Sequence, residues 1–205
     1  IKDIGYTLID PKVLKAMYYK VPQKRERLIL VGIRNDLAKY VTDFKFPEKY
    51  TRVLTVADAF KKGELYDKNV PKSEGVNYPE RKKEIMEEVP EGGYWRDLSD
   101  ILQREYMGGS YFLGGGKTGL ARRLSMKKPS LTIVCSPAMK QTERCHPIET
   151  RPLTIRESAR IQTFPDDWKF QGAKGQQYKQ IGNAVPVNLA YALGLSLVRF
   201  LNKVN

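Results

Sequence analysis

The segment Arg151–Leu189 carries the strongest local signals in this sequence. Thr154 and Glu157 stand three residues apart, a spacing at which each side chain can accept a hydrogen bond from the other's backbone N–H at a helix start. The helix should end by Thr163, because Pro165 pushes the residue before it out of helical backbone angles. These signals predict one short, well-capped helix followed by a tight loop.

A last helix should follow a Gly-Asn turn at residues 182–183. Pro186 can stand at its start at no cost, since the N–H that proline lacks would be unpaired there anyway. Leucines then recur every four residues, which indicates one apolar packing face. They are Leu189, Leu193, Leu197 and Leu201. We therefore predict a helix over residues 187–205 with a structural role.

Composition limits the class of protein. The chain has 205 residues, 41% of them hydrophobic, which suffices for one large domain or two modest ones with a real core. No apolar run approaches the ~18 residues of a membrane span, and no signal-peptide pattern opens the chain. Cys135 and Cys145 favour a reduced, cytoplasmic setting over a disulfide framework. With His146 they form no paired zinc spacing, so no metal site is expected.

The charge favours a polyanionic partner. Lys and Arg number 36 against 23 Asp and Glu, a net charge of +13, and nucleic acid is the first candidate. A merely soluble basic protein is the alternative. The first residue is Ile1 rather than methionine. We interpret the chain as trimmed, processed or fragmentary.

Residues 23–33 combine a charged entry with a β-prone run. Leu28–Ile33 has the pattern of a strand buried on both faces. Side chains alternate along an extended chain, so Gln23, Arg25 and Arg27 share one face. Two guanidinium groups and an amide suit a phosphate or a planar base edge. A solvated charged entrance to a strand is the alternative.

Three other stretches are less informative. Residues 5–16 either include a short helix capped at Asp10-Pro11 or form an extended segment broken at Pro11. Residues 54–60 predict a short helix. Residues 61–91 are rich in Lys and Glu, which predicts a solvated, loosely packed insertion rather than a core.

Basic loops supply candidate nucleic-acid contacts. The stretch GGSYFLGGGKTG at 108–119 fails as a Walker phosphate loop, because Tyr111 stands where a glycine is required. Its glycines still permit close backbone approach, and nearby cations can meet phosphates. Residues 129–137 predict a strand, and residues 139–151 carry Gln and Arg suited to base edges. Plain surface loops are the alternative. The candidates are Lys117, Arg122, Arg123, Lys140, Gln141 and Arg144.

Three blocks resemble the DNA (cytosine-5)-methyltransferases of bacterial restriction–modification systems. YYKVPQKRERLILVGIRNDL resembles the family's eighth motif, built around Gln-x-Arg-x-Arg; RPLTIRESARIQTFPDDW resembles the ninth and QYKQIGNAVPVNLA the tenth. PSLTIVCSP is similar to the signature of the target recognition domain, which places Thr132 among the implied DNA contacts. Order and spacing agree over essentially the whole chain. One departure is Lys20, where relatives usually carry glycine.

The resemblance implies an α/β fold. The expected architecture is the C-terminal remnant of an S-adenosylmethionine-dependent, Rossmann-like methyltransferase domain with a smaller, irregular β-rich target recognition domain. The implied division gives residues 1–55 and 183–205 to the catalytic domain, 56–154 to the recognition domain and 155–182 to a hinge. The resemblance also favours the extended interpretation of residues 5–16. The family's cofactor loop, Pro-Cys nucleophile and Glu-Asn-Val block do not occur in this sequence, so we expect a C-terminal part that is inactive alone.

The family's chemistry implies roles for individual residues. A cytosine is flipped from the duplex, a cysteine thiolate attacks its C6, and C5 takes the methyl group. The resemblance implies that Arg27 contacts the flipped cytosine, while Arg25 and Gln23 hold the adjacent active-site loop. Arg156 and Glu157 are expected to organise the recognition domain through an ion pair. The implied cofactor contacts are Phe164, Asn183, Ala184 and Val185.

The resemblance also implies partners. Double-stranded DNA is the expected substrate, and S-adenosylmethionine is the expected cofactor, bound mainly by residues outside this sequence. The protein partner would be the N-terminal part of the same enzyme or a complementary subunit, in the bacterial cytoplasm and away from membranes. One alternative is a non-catalytic DNA-binding module or regulatory relative, which genomic context would distinguish. Another is a tRNA-methylating relative, against which the long interval between the eighth and ninth blocks argues.

Overall fold

A computed structural model describes residues 2–115 and 117–204. Short strands and helices are joined by 3-10 turns and irregular segments. The strands are β1 (Tyr6–Leu8), β2 (Lys12–Lys15), β3 (Gln23–Lys24), β4 (Glu26–Ile29), β5 (Gly32–Arg34) and β6 (Ser130–Leu131). The α-helices are α1 (Val56–Phe60), α2 (Glu80–Glu87), α3 (Asp100–Met107), α4 (Ile155–Ile161), α5 (Lys174–Asn183) and α6 (Val187–Val204). The predicted mixed α/β class is confirmed.

The strands pair in three two-stranded sheets. β1 pairs with β5 and β2 with β4, both antiparallel, whereas β3 pairs with β6 in parallel. The extended interpretation of residues 5–16 is therefore confirmed. Lys20 precedes β3 with a φ of 55°, a left-handed conformation that glycine adopts without strain. This explains why glycine would suit a position at which this chain carries lysine.

The single strand predicted over Leu28–Ile33 is wrong. β4 ends at Ile29 and β5 begins at Gly32, so the run is divided between two sheets. Leu28 and Leu30 are 60% and 53% exposed. The run is continuously apolar, yet only one of its faces packs against the described part of the chain.

Two cores join the N-terminal strands to α6. Leu14, Tyr19 and Val21 pack with Leu189 in one of them. Ile33, Phe44 and Phe200 form the other. These contacts bring the N-terminal strands and the C-terminal helix together.

A third core lies within residues 78–145 and corrects one expectation. Ile85, Met86 and Val89 are buried with Trp95, in the stretch predicted to be a loosely packed insertion. The Lys and Glu side chains of α2 lie on the solvent face of that helix, and its few apolar residues are enough to pack it against the core. The charged composition described the outer face of the helix only.

A fourth core includes the segment expected to be a hinge. Val56 and Phe60 of α1 pack with Ile155, Ile161 and other residues of α4 and α5. The predicted short helix near residue 54 is confirmed as α1, which Thr55 and Asp58 open with a capping box. Residues 155–182 are thus packed in the same core as Val56 and Phe60, at the start of the range expected to be the recognition domain.

α4 confirms the capping prediction. Thr154 and Glu157 form the expected reciprocal cap, and the helix ends at Ile161 with Thr163 already at a φ of 61°. The Gly-Asn turn, in contrast, is wrong. Gly182 and Asn183 are the last residues of α5, a helix whose polar sequence shows no apolar stripe.

The leucine face of α6 is only partly buried. Leu189 and Phe200 are buried, whereas Leu197 and Leu201 are 43% and 52% exposed. Four residues advance about 400° around a helix, so each step rotates about 40° from the previous one. Three steps carry Leu201 away from the face that Leu189 occupies.

The C-terminal helices also revise an expectation about membranes. Among the described residues, Lys174–Val204 is the one helical stretch long and apolar enough to cross a bilayer by length and composition alone. The sequence was expected to contain no such run. Leu189 and Phe200 attach this helix to the N-terminal strands, which gives it a packing role in the fold.

Candidate functional site

Gln23 links four parts of the chain. Its side chain is fully buried; its Oε1 accepts a hydrogen bond from Ile133 N at 2.8 Å, and its Nε2 donates to Gln162 Oε1 at 2.9 Å. Gln162 follows α4 and donates from Nε2 to Ile181 O of α5 at 2.7 Å. A pair of side-chain amides therefore connects β3, the segment after β6, α4 and α5.

Arg25 completes this network. Its Nη1 donates to Ile133 O at 3.1 Å and its Nη2 to Gly182 O at 2.8 Å. Burial, with a smaller contribution from the charge of Arg27, lowers the pKa of Arg25 to about 10. Its buried Nε has no hydrogen-bond partner among the described residues. The guanidinium group thus links the segment after β6 to the end of α5.

Gly182 makes this link possible. A Cβ atom at this position would lie 2.6 Å from Cys135 N and 2.7 Å from Val134 C. Only glycine lets α5 approach the backbone of residues 134–135 so closely. We call Gln23, Arg25, Gln162 and Gly182, with the Ile133 backbone that Gln23 and Arg25 hold, the clamp.

The clamp also explains why the predicted strand at 129–137 shortens to β6. Side chains, rather than a neighbouring strand, pair the backbone groups of Ile133. The carbonyl of Thr132 accepts hydrogen bonds from Arg144 Nε and Nη2 at 3.1 and 2.9 Å. No further strand is found in the described residues of 56–154. The described residues of 56–154 are irregular, as expected, but the β-rich prediction for this range is wrong.

Arg27 lies at the outer end of the face that Gln23 and Arg25 share. It is half-buried, and its Nη1 donates to Glu26 O at 2.7 Å. The alternation of side chains correctly placed the three residues together. Gln23 and Arg25 are turned into the interior, so among the three Arg27 is the residue best placed to meet a ligand.

Two candidate DNA contacts serve the interior instead. Arg123 donates from Nε to Val89 O at 2.7 Å and from Nη2 to Thr150 Oγ1 at 2.9 Å. Arg144 is buried on Thr132, and burial lowers its pKa to about 10. Both guanidinium groups are occupied by protein acceptors, which corrects their prediction as DNA contacts.

The other candidates remain accessible in varying degree. Lys117 and Lys140 are half-buried and donate to Tyr111 O at 3.1 Å and Met107 O at 2.9 Å. Arg122 lies over the Tyr94 ring, 5.1 Å from its centroid. Thr132 is half-buried and Gln141 is exposed. These five residues stay predicted DNA contacts.

The implied cofactor contacts also divide into a buried residue and accessible ones. Phe164 is 9% exposed, and its ring packs 5.1 Å from that of Phe170, so it is part of the core and stays a predicted cofactor contact. Asn183 and Val185 are exposed and Ala184 is half-buried. The Asn183 Oδ1 atom accepts a hydrogen bond from the Cys135 thiol, with Sγ and Oδ1 3.3 Å apart. An accessible amide beside short apolar side chains fits one edge of S-adenosylmethionine.

The expected Arg156–Glu157 ion pair is replaced by another. Glu157 pairs with Arg151, whose Nη2 lies 2.7 Å from Glu157 Oε1. Arg156 donates instead to the carbonyls of Pro165 and Trp168, at 3.1 and 2.8 Å. On a helix, side chains of adjacent residues point in different directions, which separates Arg156 from Glu157.

Some residues of the site gave no sequence signal of their own. Gln162 lies inside the ninth block, yet nothing in the capping pattern distinguishes it. Gly182 suggested a turn rather than a close contact.

Among the described residues, no group of three His, Cys, Asp or Glu side chains could hold a metal ion.

Known sequences match this chain over nearly its whole length. The sequence model of the family described as C-5 cytosine-specific DNA methylase matches residues 1–199. The type II methyltransferase M.Eco47II of Escherichia coli is 64% identical over 205 residues, which are 100% of this chain and 49% of that protein. M.Sau96I of Staphylococcus aureus is 51% identical over 193 residues, 94% of this chain and 44% of that protein. The chain therefore spans about half the length of these relatives.

Two solved structures share the fold. A prophage-encoded DNA modification methyltransferase of E. coli aligns with a TM-score of 0.59 at 23% identity, over 98% of this chain and 62% of that one. The S. pombe Dnmt2 methyltransferase aligns with a TM-score of 0.54 at 13% identity, over 100% of this chain and 58% of that one. The family match and the identity to the type II enzymes lead to one conclusion: this chain belongs to the C-5 cytosine-specific DNA methylases, a family that uses S-adenosylmethionine.

Proposed function

We propose that this chain is the C-terminal part of a bacterial DNA (cytosine-5)-methyltransferase of a restriction–modification system. It supplies DNA recognition and completes the active site for transfer of a methyl group from S-adenosylmethionine to C5 of a flipped cytosine in duplex DNA. The clamp is the observation that carries the proposal. Gln23 and Arg25 of the eighth block hold the Ile133 N–H and C=O, and the same two side chains bond to Gln162 of the ninth block and to the Gly182 carbonyl of the tenth.

The clamp gives each block a task. Residues 1–55 and 183–205 act as part of the catalytic domain and 56–154 as the recognition domain, while 155–182 share one core with 56–154, against which Ala184 and Val187 also pack. Through the clamp, the position of the recognition segment and that of the α5–α6 connection depend on each other. DNA bound by one part is thereby set in register with the cofactor edge at Asn183–Val185.

Arg27 is proposed to contact the flipped cytosine. Replacing Arg27 with alanine should slow methyl transfer by about 10–100-fold, the loss expected for one hydrogen bond to a charged group worth about 1.5–3 kcal/mol. Duplex affinity should change less than about threefold, because a single charge contributes little to binding held by many phosphate contacts. Methyl incorporation and equilibrium binding on the same duplex measure the two effects.

Lys24→Ala is the matched control for Arg27→Ala. Lys24 is an exposed cation of β3, and its loss should leave the rate of methyl transfer unchanged. If Arg27→Ala lowers affinity and methylation equally, Arg27 holds the phosphate backbone instead of the base.

The α6 face that points away from the strands is proposed to bind the N-terminal part of the same enzyme or a complementary subunit. Tyr191, Val198 and Leu201 are 66%, 52% and 52% exposed there, and Leu195 is 39% exposed. An apolar surface of this kind marks an interface. The relatives are about twice as long as this chain, which leaves a partner of comparable size to cover it.

Mixing this chain with a separately expressed N-terminal part tests the proposed function. Methyl transfer to duplex DNA should appear with both parts together and be absent with either part alone. Val198→Glu should reduce the reconstituted activity at least about tenfold, since binding of the N-terminal part would bury an unpaired carboxylate, which is costly. Ile101→Glu, a change at a 77% exposed residue of α3, is the matched control. Absence of any gain on mixing would favour the non-catalytic DNA-binding alternative.

A further inference from the structure

A row of four aromatic rings crosses the recognition segment. Tyr94 and Trp95 have ring centroids 6.4 Å apart, Trp95 and Tyr111 are 6.2 Å apart, and Tyr111 and Phe112 are 5.3 Å apart. Each pair meets edge to face, the favourable arrangement for aromatic rings. We call these four residues the aromatic ridge.

Three arginines lie along the aromatic ridge. Arg122 is 5.1 Å from the centroid of Tyr94, Arg96 is 5.1 Å from that of Trp95, and Arg104 is 5.1 Å from that of Tyr111. A guanidinium group over a ring keeps its charge and its hydrogen-bond donors for a partner. Interleaved aromatic rings and arginines are suited to nucleic acid, which offers both phosphates and base faces.

The ridge ends at two exposed apolar side chains, which lie next to the buried part of the ridge. Phe112 is 79% and Leu113 is 65% exposed. Trp95, at the centre of the ridge, is 5% exposed, and its Nε1 donates to Lys117 O at 3.0 Å. Two large apolar side chains in water on a fixed support are a feature of interaction sites rather than of plain surface loops.

The ridge also begins beside the segment held by the clamp. The charge of Arg122 lies close enough to Arg144 to depress the pKa of Arg144 further, after the larger effect of burial. Arg144 donates to the carbonyl of Thr132. A partner that contacts Thr132 therefore finds the ridge next to it.

We propose that Phe112 and Leu113 enter a groove of the target duplex and pack against its bases, while Arg96, Arg104 and Arg122 contact the phosphates on either side. This assignment rests on the proposed function and adds the residues that contact the base pairs. The charge of +13 and the arginine on three rings of the ridge favour a polyanion over a protein partner for this surface.

The test uses the full-length enzyme and two duplexes, one with the methylated site and one with that site scrambled. Fluorescence anisotropy gives Kd for each over a range of salt concentrations. The double variant Phe112→Ser, Leu113→Ser should weaken binding to the target site at least about tenfold and leave the salt dependence unchanged, since base stacking is independent of counterions. Arg96→Gln should weaken both duplexes alike and lower the salt slope by about one.

Ile101→Ser is the control for removing an exposed apolar side chain outside the ridge and should bind both duplexes normally. The changed residues are exposed, so far-UV circular dichroism should match the unchanged enzyme. Unchanged Kd values for the double variant on both duplexes would overturn the inference. Methylation of DNA by the unchanged enzyme would still support the proposed function in that case. If the unchanged enzyme did not methylate DNA, the proposed function would fail, and the Kd comparison would still decide whether the ridge contacts DNA.

Discussion

Replacing Arg160 with alanine should destabilise the protein by about 3–5 kcal/mol, the cost of breaking a buried ion pair by removing one partner. The side chain is fully buried; its Nε donates to Asp166 Oδ1 at 2.9 Å, and its Nη1 donates to Ala59 O and Lys68 O at 3.2 and 3.0 Å. The guanidinium also lies 4.0 Å from the centroid of the Tyr66 ring. Alanine would leave a carboxylate and the carbonyls of Ala59, Lys68 and Asn69 without this donor, in addition to a cavity.

Arg156→Ala on the same helix is the matched control. Its guanidinium also donates to two carbonyls, but it is half-exposed, and water can replace it. The expected loss is below about 1 kcal/mol. Urea unfolding of the full-length protein at neutral pH measures both free energies. Equal losses would show that burial at Arg160 adds nothing.

Hydrogen bonding to Arg160 also holds the pKa of Asp166 below its ordinary value. A carboxyl group with a depressed folded-state pKa stabilises the protein above its unfolded pKa, and this contribution is lost as the pH falls. The Arg160→Ala variant should therefore lose less stability than the unchanged protein between about pH 5 and pH 3. Unfolding free energies at both pH values check this sign.

Replacing Gly182 with alanine should cost about 2–3 kcal/mol, the upper part of the range for overpacking a tight contact. The added Cβ would meet Cys135 N at 2.6 Å and Val134 C at 2.7 Å, and backbone atoms cannot rotate away. α5 must shift, which also strains the bond from Arg25 to Gly182 O. Methyl transfer should therefore fall by more than the loss of folded protein explains.

Gly175→Ala separates this clash from the general effect of alanine in a helix. Gly175 is also in α5, and nothing lies within 4 Å of the position its Cβ would take. Alanine there should stabilise the helix by up to about 1 kcal/mol. Thermal unfolding and methyl transfer, measured below both transitions, compare the two variants. A similar response at both glycines would remove the steric explanation.

Local rules predicted local structure well where one side chain acts on its own neighbourhood. Thr154 and Glu157 set the start of α4, and the proline after Phe164 set its end. α5 escaped prediction because its Gln and Lys residues form no apolar stripe, while Gly182-Asn183 looked like a turn. A helix whose burial rests on Tyr178 and Ile181 gives too few apolar positions to show a period.

The candidate site was harder, because identical residue types have opposite surroundings. Arg25 and Arg27 are two residues apart, yet the acceptors of Arg25 lie 108 and 157 residues along the chain. Arg122 and Arg123 are adjacent, but only Arg123 is buried. No local pattern reports which arginine will find carbonyls in the interior. The family resemblance identified the motifs, and the fold decided which of their side chains remain accessible.

The way the clamp holds Ile133 bears on how such a protein can change over time. Gln23 and Arg25 bind an N–H and a C=O, which every residue type except proline provides. Thr132 and Val134 on either side are half-buried, and Cys135 is exposed. Substitution at these three positions leaves the support of the segment in place. A lineage can therefore exchange them one at a time, acquiring a new surface chemistry at this point while the backbone support of the segment is kept.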